Sequence, residues 1–238
     1  MRKYDPRRVV FSEKDLRKME RDAQKLHQEM TIRPEEIEAE SFRIITKELA
    51  EMGVTLSGET APVIRRVIHT TADFSYVETL RFSVDAVKKL MGLLMEGAVI
   101  VTDTQMALAG INKRKLSTLG GEVRCFMADP DVAEEAKRRG VTRATVSMER
   151  ASGLMKPVVF VIGNAPTALL RLRDLIEEGT YLPAFVVGTP VGFVNVEYAK
   201  ECIMALGEER GIPYIVNAGR KGGSNVAASI INAVLYSM

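Results

Sequence analysis

Short apolar runs rich in β-branched residues recur from residue 98 onward, and this recurrence constrains the fold more than any other feature of the chain. The runs are AVIVTD at 98–103, EVRCFM at 122–127, VVFVIG at 158–163, AFVVGTP at 184–190 and YIVNAG at 214–219. They are nearly continuous in apolar character, as strands buried on both faces are. Helical patterning fills the gaps. It covers Ser83 to Glu96, a short piece before residue 122, Pro130 to Arg139, Arg143 to Met155, a segment ending at Glu178, another after Pro190 and a last one after Ser224. Strands that alternate with helices build a parallel sheet with both sides covered. The prediction is an α/β fold: a doubly wound, mainly parallel sheet of about five core strands with helices on both faces.

Upstream, Val63, Ile64, Val67 and Ile68 repeat near one face of a helix expected over Thr60 to Thr71. Pro34, Glu35 and Glu36 suit the first turn of a helix that runs to Met52. Ile37, Phe42, Ile44, Ile45 and Leu49 are its expected apolar contacts. Residues 1–33 differ from the rest, with about ten basic and six acidic side chains. A charged helix from Ser12 to Met30, capped by Ser12, reads as a solvated surface element. The expected organisation is a basic helical N-terminal arm over 1–33 and one domain over 34–238.

The 238 residues are 46% hydrophobic and 27% charged, enough apolar material for a full core. Lys and Arg total 33 against 31 Asp and Glu, a net charge of only +2, which gives no reason to expect a nucleic-acid partner. No apolar stretch is long enough to span a membrane and the amino terminus lacks a signal peptide's apolar centre, so a cytoplasmic protein is expected. Cys125 and Cys202 are read as buried core thiols, too few for a disulfide framework or a thiol-rich metal site.

Open parallel sheets bind ligands beyond the carboxyl ends of their strands, where the polar and glycine-rich oddities of this chain fall. Asp103 ends the first strand. Gly163, Asn164 and Thr167 follow the third. Thr189 ends the fourth with Gly192 just beyond, and Arg220, Lys221, Gly222, Gly223 and Ser224 follow the fifth. In GRKGGSN the glycines admit close backbone approach, the helix start favours an anion, and two cations stand beside it. A tight turn with solvated charges is the competing reading. Asn164 and Pro166 also suffice as an ordinary helix start. No P-loop and no G-x-G-x-x-G turn is present, and no metal motif joins His27 and His69. His69, beside Thr70, Thr71 and Asp73, has the side chain suited to general acid work near neutral pH, although a lone histidine is often structural.

These strings together resemble the precorrin-8X methylmutase family, including its cobalt-precorrin-8 branch. The carrying segments are VIHTTADF at 67–74, TDTQMALAGI at 102–111, GVTRA at 140–144, GNAPTAL at 163–169, GTPVGFVN at 188–195 and GRKGGSNVA at 219–227. The resemblance covers the chain from about residue 34 to its end.

The resemblance implies an isomerase of corrin biosynthesis with a Rossmann-like fold and a homodimeric state. It implies a methyl shift from ring carbon 11 to ring carbon 12 of precorrin-8X or cobalt-precorrin-8, giving hydrogenobyrinate or cobyrinate. His69 takes the place of the family's proton donor. Thr70 lies in the same string, Arg143 lies in the matching TRA segment as a carboxylate clamp, and Ser41 and Arg43 lie in an ESFRII segment resembling the family's ESxxII pattern. A unimolecular rearrangement calls for no cofactor and no resident metal. At Ala218 the family pattern carries an arginine, so one carboxylate contact is expected to be missing or replaced. Two rival readings are a corrinoid carrier without chemistry, which would not require His69, and a nucleotide-dependent oxidoreductase, which would need the absent glycine fingerprint.

Overall fold

A computed structural model describes residues 12–29 and 36–238 of the chain. Contacts divide the chain into two units, Met1–Ile44 and Ile45–Met238. In the first unit, helix α1 spans Glu13–Glu29. The Ser12 hydroxyl accepts from the Asp15 N–H at 3.2 Å, and the Asp15 carboxylate accepts from the Ser12 N–H at 3.0 Å, so the expected cap is made reciprocally. Met30, Pro34, Glu35 and the side chain of His27 lie outside the described residues. Helix α2 covers Ile37–Glu51 and crosses the division. Ile45 and Leu49 are buried, whereas Ile37 and Ile44 are exposed and lack the burial expected of them.

The larger unit adds α3 (Ala61–Thr71), α4 (Tyr76–Thr79), β1 (Leu80–Phe82), α5 (Ala86–Met95) and β2 (Val99–Thr102). It continues with α6 (Gln105–Gly110), α7 (Lys113–Thr118), β3 (Glu122–Arg124), α8 (Pro130–Arg139) and α9 (Arg143–Ser152). The last elements are β4 (Val158–Ile162), α10 (Pro166–Glu177), β5 (Phe185–Gly188), α11 (Val196–Arg210), β6 (Tyr214–Asn217) and α12 (Ser224–Tyr236).

The described strands form one six-stranded sheet in the order β1-β6-β5-β4-β2-β3. The five strands from β2 to β6 are the five expected ones, and all pair in parallel. The sequence reading missed β1, a three-residue edge strand that pairs antiparallel to β6 with Leu80 opposite Asn217.

The continuous apolar runs are explained by burial on both faces. Val99, Val101, Val158, Phe160, Ile162, Val186 and Val216 point to one side, where they pack with Ala144 and Met148 of α9, Leu169 and Leu172 of α10, and Ile203 of α11. Residues of opposite parity, including Ile100, Val159, Val161, Phe185, Val187 and Ile215, are also buried. On that second face α12 lies over β4 and β5 and packs with α3, α5 and α6. Its apolar positions, such as Val226, Ile230, Ile231 and Val234, are buried all round. Cys125 and Cys202 are free and only half-buried, so neither is the core thiol expected. Among the described residues, no helix is long and apolar enough to cross a membrane.

Phe160 sits at the centre of the sheet with its ring edge-on to Tyr181 at 6.0 Å between centroids. Phe160→Ala is expected to destabilise the protein by about 3–5 kcal/mol. A lowered urea midpoint with an unchanged slope is the result to look for.

Candidate functional site

The strand order reverses between β2 and β4: β3 lies on one side of β2, and β4, β5 and β6 follow on the other. Such a switch point opens a crevice beyond the carboxyl ends of the two strands. Asp103, the residue after β2, stands in that place with 0% exposure. Its carboxylate accepts from the N–H groups of Gly163 and Asn164 at 2.8 Å each and of Ala165 at 2.6 Å. Burial pushes this carboxyl above the ordinary aspartate range, while the three amide bonds pull the other way. Asp103, expected as a ligand contact, is therefore placed as a positioning group. It shapes the loop after β4 and presents no atom to a ligand.

The neighbouring loops meet backbone to backbone. A Cβ on Gly163 would lie 2.6 Å from the Ser224 Cα, and one on Gly222 would lie 2.1 Å from the Thr189 carbonyl oxygen. The Gly223 N–H donates to that same Thr189 oxygen at 2.8 Å, and the Thr189 N–H donates to the Ile162 carbonyl at 2.8 Å. Thr189 is fully buried, so like Asp103 it staples the rim and offers no face to a ligand. Ser224 is buried too, with its hydroxyl 2.8 Å from that of Thr104, whose Oγ1 also caps α6 by accepting from the Ala107 N–H.

His69 lies in the last turn of α3 and is half-buried, with exposed Thr70 beside it. The helix ends at Ala72, whose left-handed backbone turns the chain sharply. Asp73 and Ser75 in that turn hold the Lys221 ammonium at 2.6 and 2.9 Å. The Lys221 bond, then the contacts of Ser75, hold the Asp73 carboxyl below the usual carboxylate range. The structure thus joins the histidine segment to the glycine-rich basic loop, two strings separated by about 150 positions in the chain.

The remaining rim residues divide into groups. Arg220 is exposed, pairs with Glu197 at 3.0 Å and lies over the Phe193 ring at 5.7 Å. Phe193 is 84% exposed, with exposed Val191 and Val194 flanking it near Gly192. The Gly192 N–H donates to the Arg220 carbonyl at 3.2 Å, tying the two loops. Thr167 accepts from the Thr142 hydroxyl at 3.1 Å beside Arg143, whose guanidinium reaches the Met127 carbonyl at 3.2 Å. Asn164 is exposed beyond β4. Ser41 donates to the Ile37 carbonyl at 2.9 Å and Arg43 pairs with Glu40, so both have contacts within α2. Among the described residues, no group of three or more His, Cys, Asp and Glu is gathered to hold a metal ion.

Lys200 escaped the sequence reading. It lies on α11 at 0% exposure, and its ammonium donates to the Gly219 carbonyl at 2.7 Å and the Lys221 carbonyl at 2.8 Å. Burial pushes its pKa down to about 8, against a smaller upward pull from Glu197. Asn217, also fully buried, donates to the Lys221 carbonyl at 2.8 Å and accepts from the Thr79 hydroxyl at 2.7 Å. No motif marks Lys200, because a lysine on an amphipathic helix ordinarily faces water.

The precorrin-8X methylmutase family profile matches residues 36–237. The chain is 44% identical over 209 residues to the cobalt-precorrin-8 methylmutase of Salmonella typhimurium, covering 86% of this chain and 96% of that one. It is 42% identical over 205 residues to the enzyme of the same name from Priestia megaterium, covering 86% and 88%. The crystal structure of a precorrin-8X methyl mutase from Thermus thermophilus matches with a TM-score of 0.74 and 39% identity, covering 84% of this chain and 96% of that one.

Gly222→Ala is expected to lower stability by at least about 1–3 kcal/mol, because the new methyl would strike the Thr189 carbonyl. Gly92→Ala has open space in α5 and is expected to raise stability by roughly 0.5–1 kcal/mol. Thermal unfolding of the two variants side by side checks both signs.

Proposed function

This chain belongs to the precorrin-8X methylmutase family, and from that membership we propose that it moves a methyl group from ring carbon 11 to ring carbon 12 of precorrin-8X or cobalt-precorrin-8, with His69 as proton donor. It is an isomerase of cobalamin biosynthesis. The observation that carries the residue assignment is the Lys221 bond to Asp73 at 2.6 Å, four positions after His69. It ties the turn that follows His69 to the cationic, glycine-rich loop, which supports reading both as parts of one rim.

The chemistry of the substrate fits such a rim. A flat apolar macrocycle edged with carboxylates calls for apolar contact beside cations and N–H donors. Phe193, Val191 and Val194 offer the apolar lip, and Arg220, Lys221, Gly222 and Gly223 the anion-binding edge. Arg143, Asn164, Thr167, Gly192 and Thr70 are proposed as further contacts around it. Ser41 and Arg43 stay in the proposal on the family resemblance alone. Asp103, Thr189 and Ser224 hold the rim in shape. His69 gives its proton to the macrocycle near ring C, the methyl moves with its bonding pair, and the proton returns, so the enzyme ends as it began. Fixing the ring supplies the orientation that a unimolecular shift needs. Cobalt, where the substrate carries it, is cargo within the macrocycle. A homodimer, resting on the resemblance, and a cytoplasmic location, resting on the sequence expectation, complete the reading.

His69→Ala and His69→Asn are expected to lower turnover by about 10²–10⁴-fold while product affinity changes little. Conversion at the normal rate by either variant removes His69 from the mechanism. That outcome, with binding kept, would favour the carrier reading. Arg220→Ala is expected to weaken product binding by about tenfold, the scale of one charge-assisted hydrogen bond, relative to the exposed control Lys156→Ala. Equal affinities of the two variants would contradict the carboxylate-clamp role.

A further inference from the structure

Four consecutive carbonyls of the loop after β6 are occupied by donors from the protein itself. The Ala218 oxygen accepts from the Asn217 amide at 3.2 Å, and the Gly219 oxygen from the Lys200 ammonium at 2.7 Å. The Arg220 oxygen accepts from the Gly192 N–H at 3.2 Å, and the Lys221 oxygen from both Lys200 and Asn217 at 2.8 Å. Each peptide unit is planar and trans, so its N–H points opposite to its carbonyl. With these carbonyls turned toward their donors, the N–H groups of residues 219–222 point away from those donors, and N–H groups gathered on one side of a loop suit an anion.

Among the described residues, the charges around this loop match in pairs except for one. Arg220 is paired with Glu197, and Lys221 with Asp73. On α10, which packs against α11, Arg173 is paired with Asp174. Lys200 hydrogen-bonds only carbonyls, and Glu197, one turn away on its own helix, is engaged by Arg220. The unmatched positive charge at the loop is thus the buried one.

We propose that Lys200 is the positioning residue for substrate carboxylates. It turns the Gly219 and Lys221 carbonyls inward so that the loop amides face the ligand, and it places the surplus positive charge behind them. This rests on reading residues 219–224 as the carboxylate-binding loop. An ammonium is the only lysine form that supplies both functions. The neutral amine keeps two N–H groups for the two carbonyls but carries no charge. The downward push on the Lys200 pKa to about 8 brings that change into reach of ordinary assays.

The test uses the full-length enzyme with Lys200→Met, Lys200→Arg and wild type, measuring kcat, KM and product affinity from pH 7 to pH 9. Lys200→Met is expected to raise KM and the product Kd by about tenfold or more while kcat stays within about threefold. Lys200→Arg is expected to recover most of the affinity, since it restores charge and donors. Wild-type KM is expected to rise as pH passes through about 8, the substrate carboxylates staying ionised throughout, whereas the Lys200→Met profile stays flat. Unchanged KM in Lys200→Met overturns the proposal. So does a raised KM that Lys200→Arg does not relieve, combined with a wild-type profile flat in pH, because that pattern belongs to a merely structural lysine. If Lys200→Met does not fold, the wild-type pH profile alone decides in the same sense. Arg220→Ala and Lys221→Ala separate this idea from the reading beneath it. If they weaken binding and Lys200→Met does not, only the Lys200 proposal fails. If neither weakens binding, the loop is not the carboxylate site.

Discussion

The sealing of the Asp103 carboxylate under three backbone amides is the constraint on which the rest of the site depends. A buried carboxylate is costly unless its lone pairs are met, and amide donors that converge on one point can meet them only with the loop after β4 in one shape. That shape brings Gly163 against the backbone of Ser224, and the Ser224 loop in turn lies against Thr189 through Gly222. Three strand ends are thereby locked to one another without any side chain standing between them. Where a doubly wound sheet would otherwise leave an open crevice, this one has a rigid floor.

Function is then a matter of what stands on that floor. Lys221 crosses from the glycine-rich loop to Asp73 and fixes the turn that ends the His69 helix. Arg220 lies across Phe193, joining a cation to an exposed aromatic face. Lys200 supplies charge from beneath, where it cannot compete with a ligand for space. A preorganised rim of this kind suits a rearrangement that needs a fixed substrate and a proton more than it needs a reactive cofactor.

The sequence was legible where one physical pattern dominated. The five parallel strands announced themselves because burial on both faces demands unbroken apolar runs. The helix boundaries at Pro130 and Arg139 matched because proline and glycine punctuate the chain there. Strand β1 stayed hidden because Leu80 to Phe82 is too short to show a period, and its strand character comes from pairing with β6. The rim position of Asp103 is legible in the sequence but its three amide partners are not, since nothing in a sequence tells which amides converge on a carboxylate. Lys200 was invisible for a similar reason: its partners are two carbonyls of a distant loop. The exposure of Ile37 and Ile44 likewise depends on what covers their helix and not on its periodicity.

The most direct test is a crystal structure of the enzyme with its tetrapyrrole product bound. The expected result is a macrocycle seated at the carboxyl ends of β2, β4, β5 and β6, an imidazole nitrogen of His69 in contact with the ring beside the migrated methyl, and a side-chain carboxylate on the amides of residues 219–224. A macrocycle bound away from that loop, or a His69 imidazole separated from the ring by protein, would contradict it.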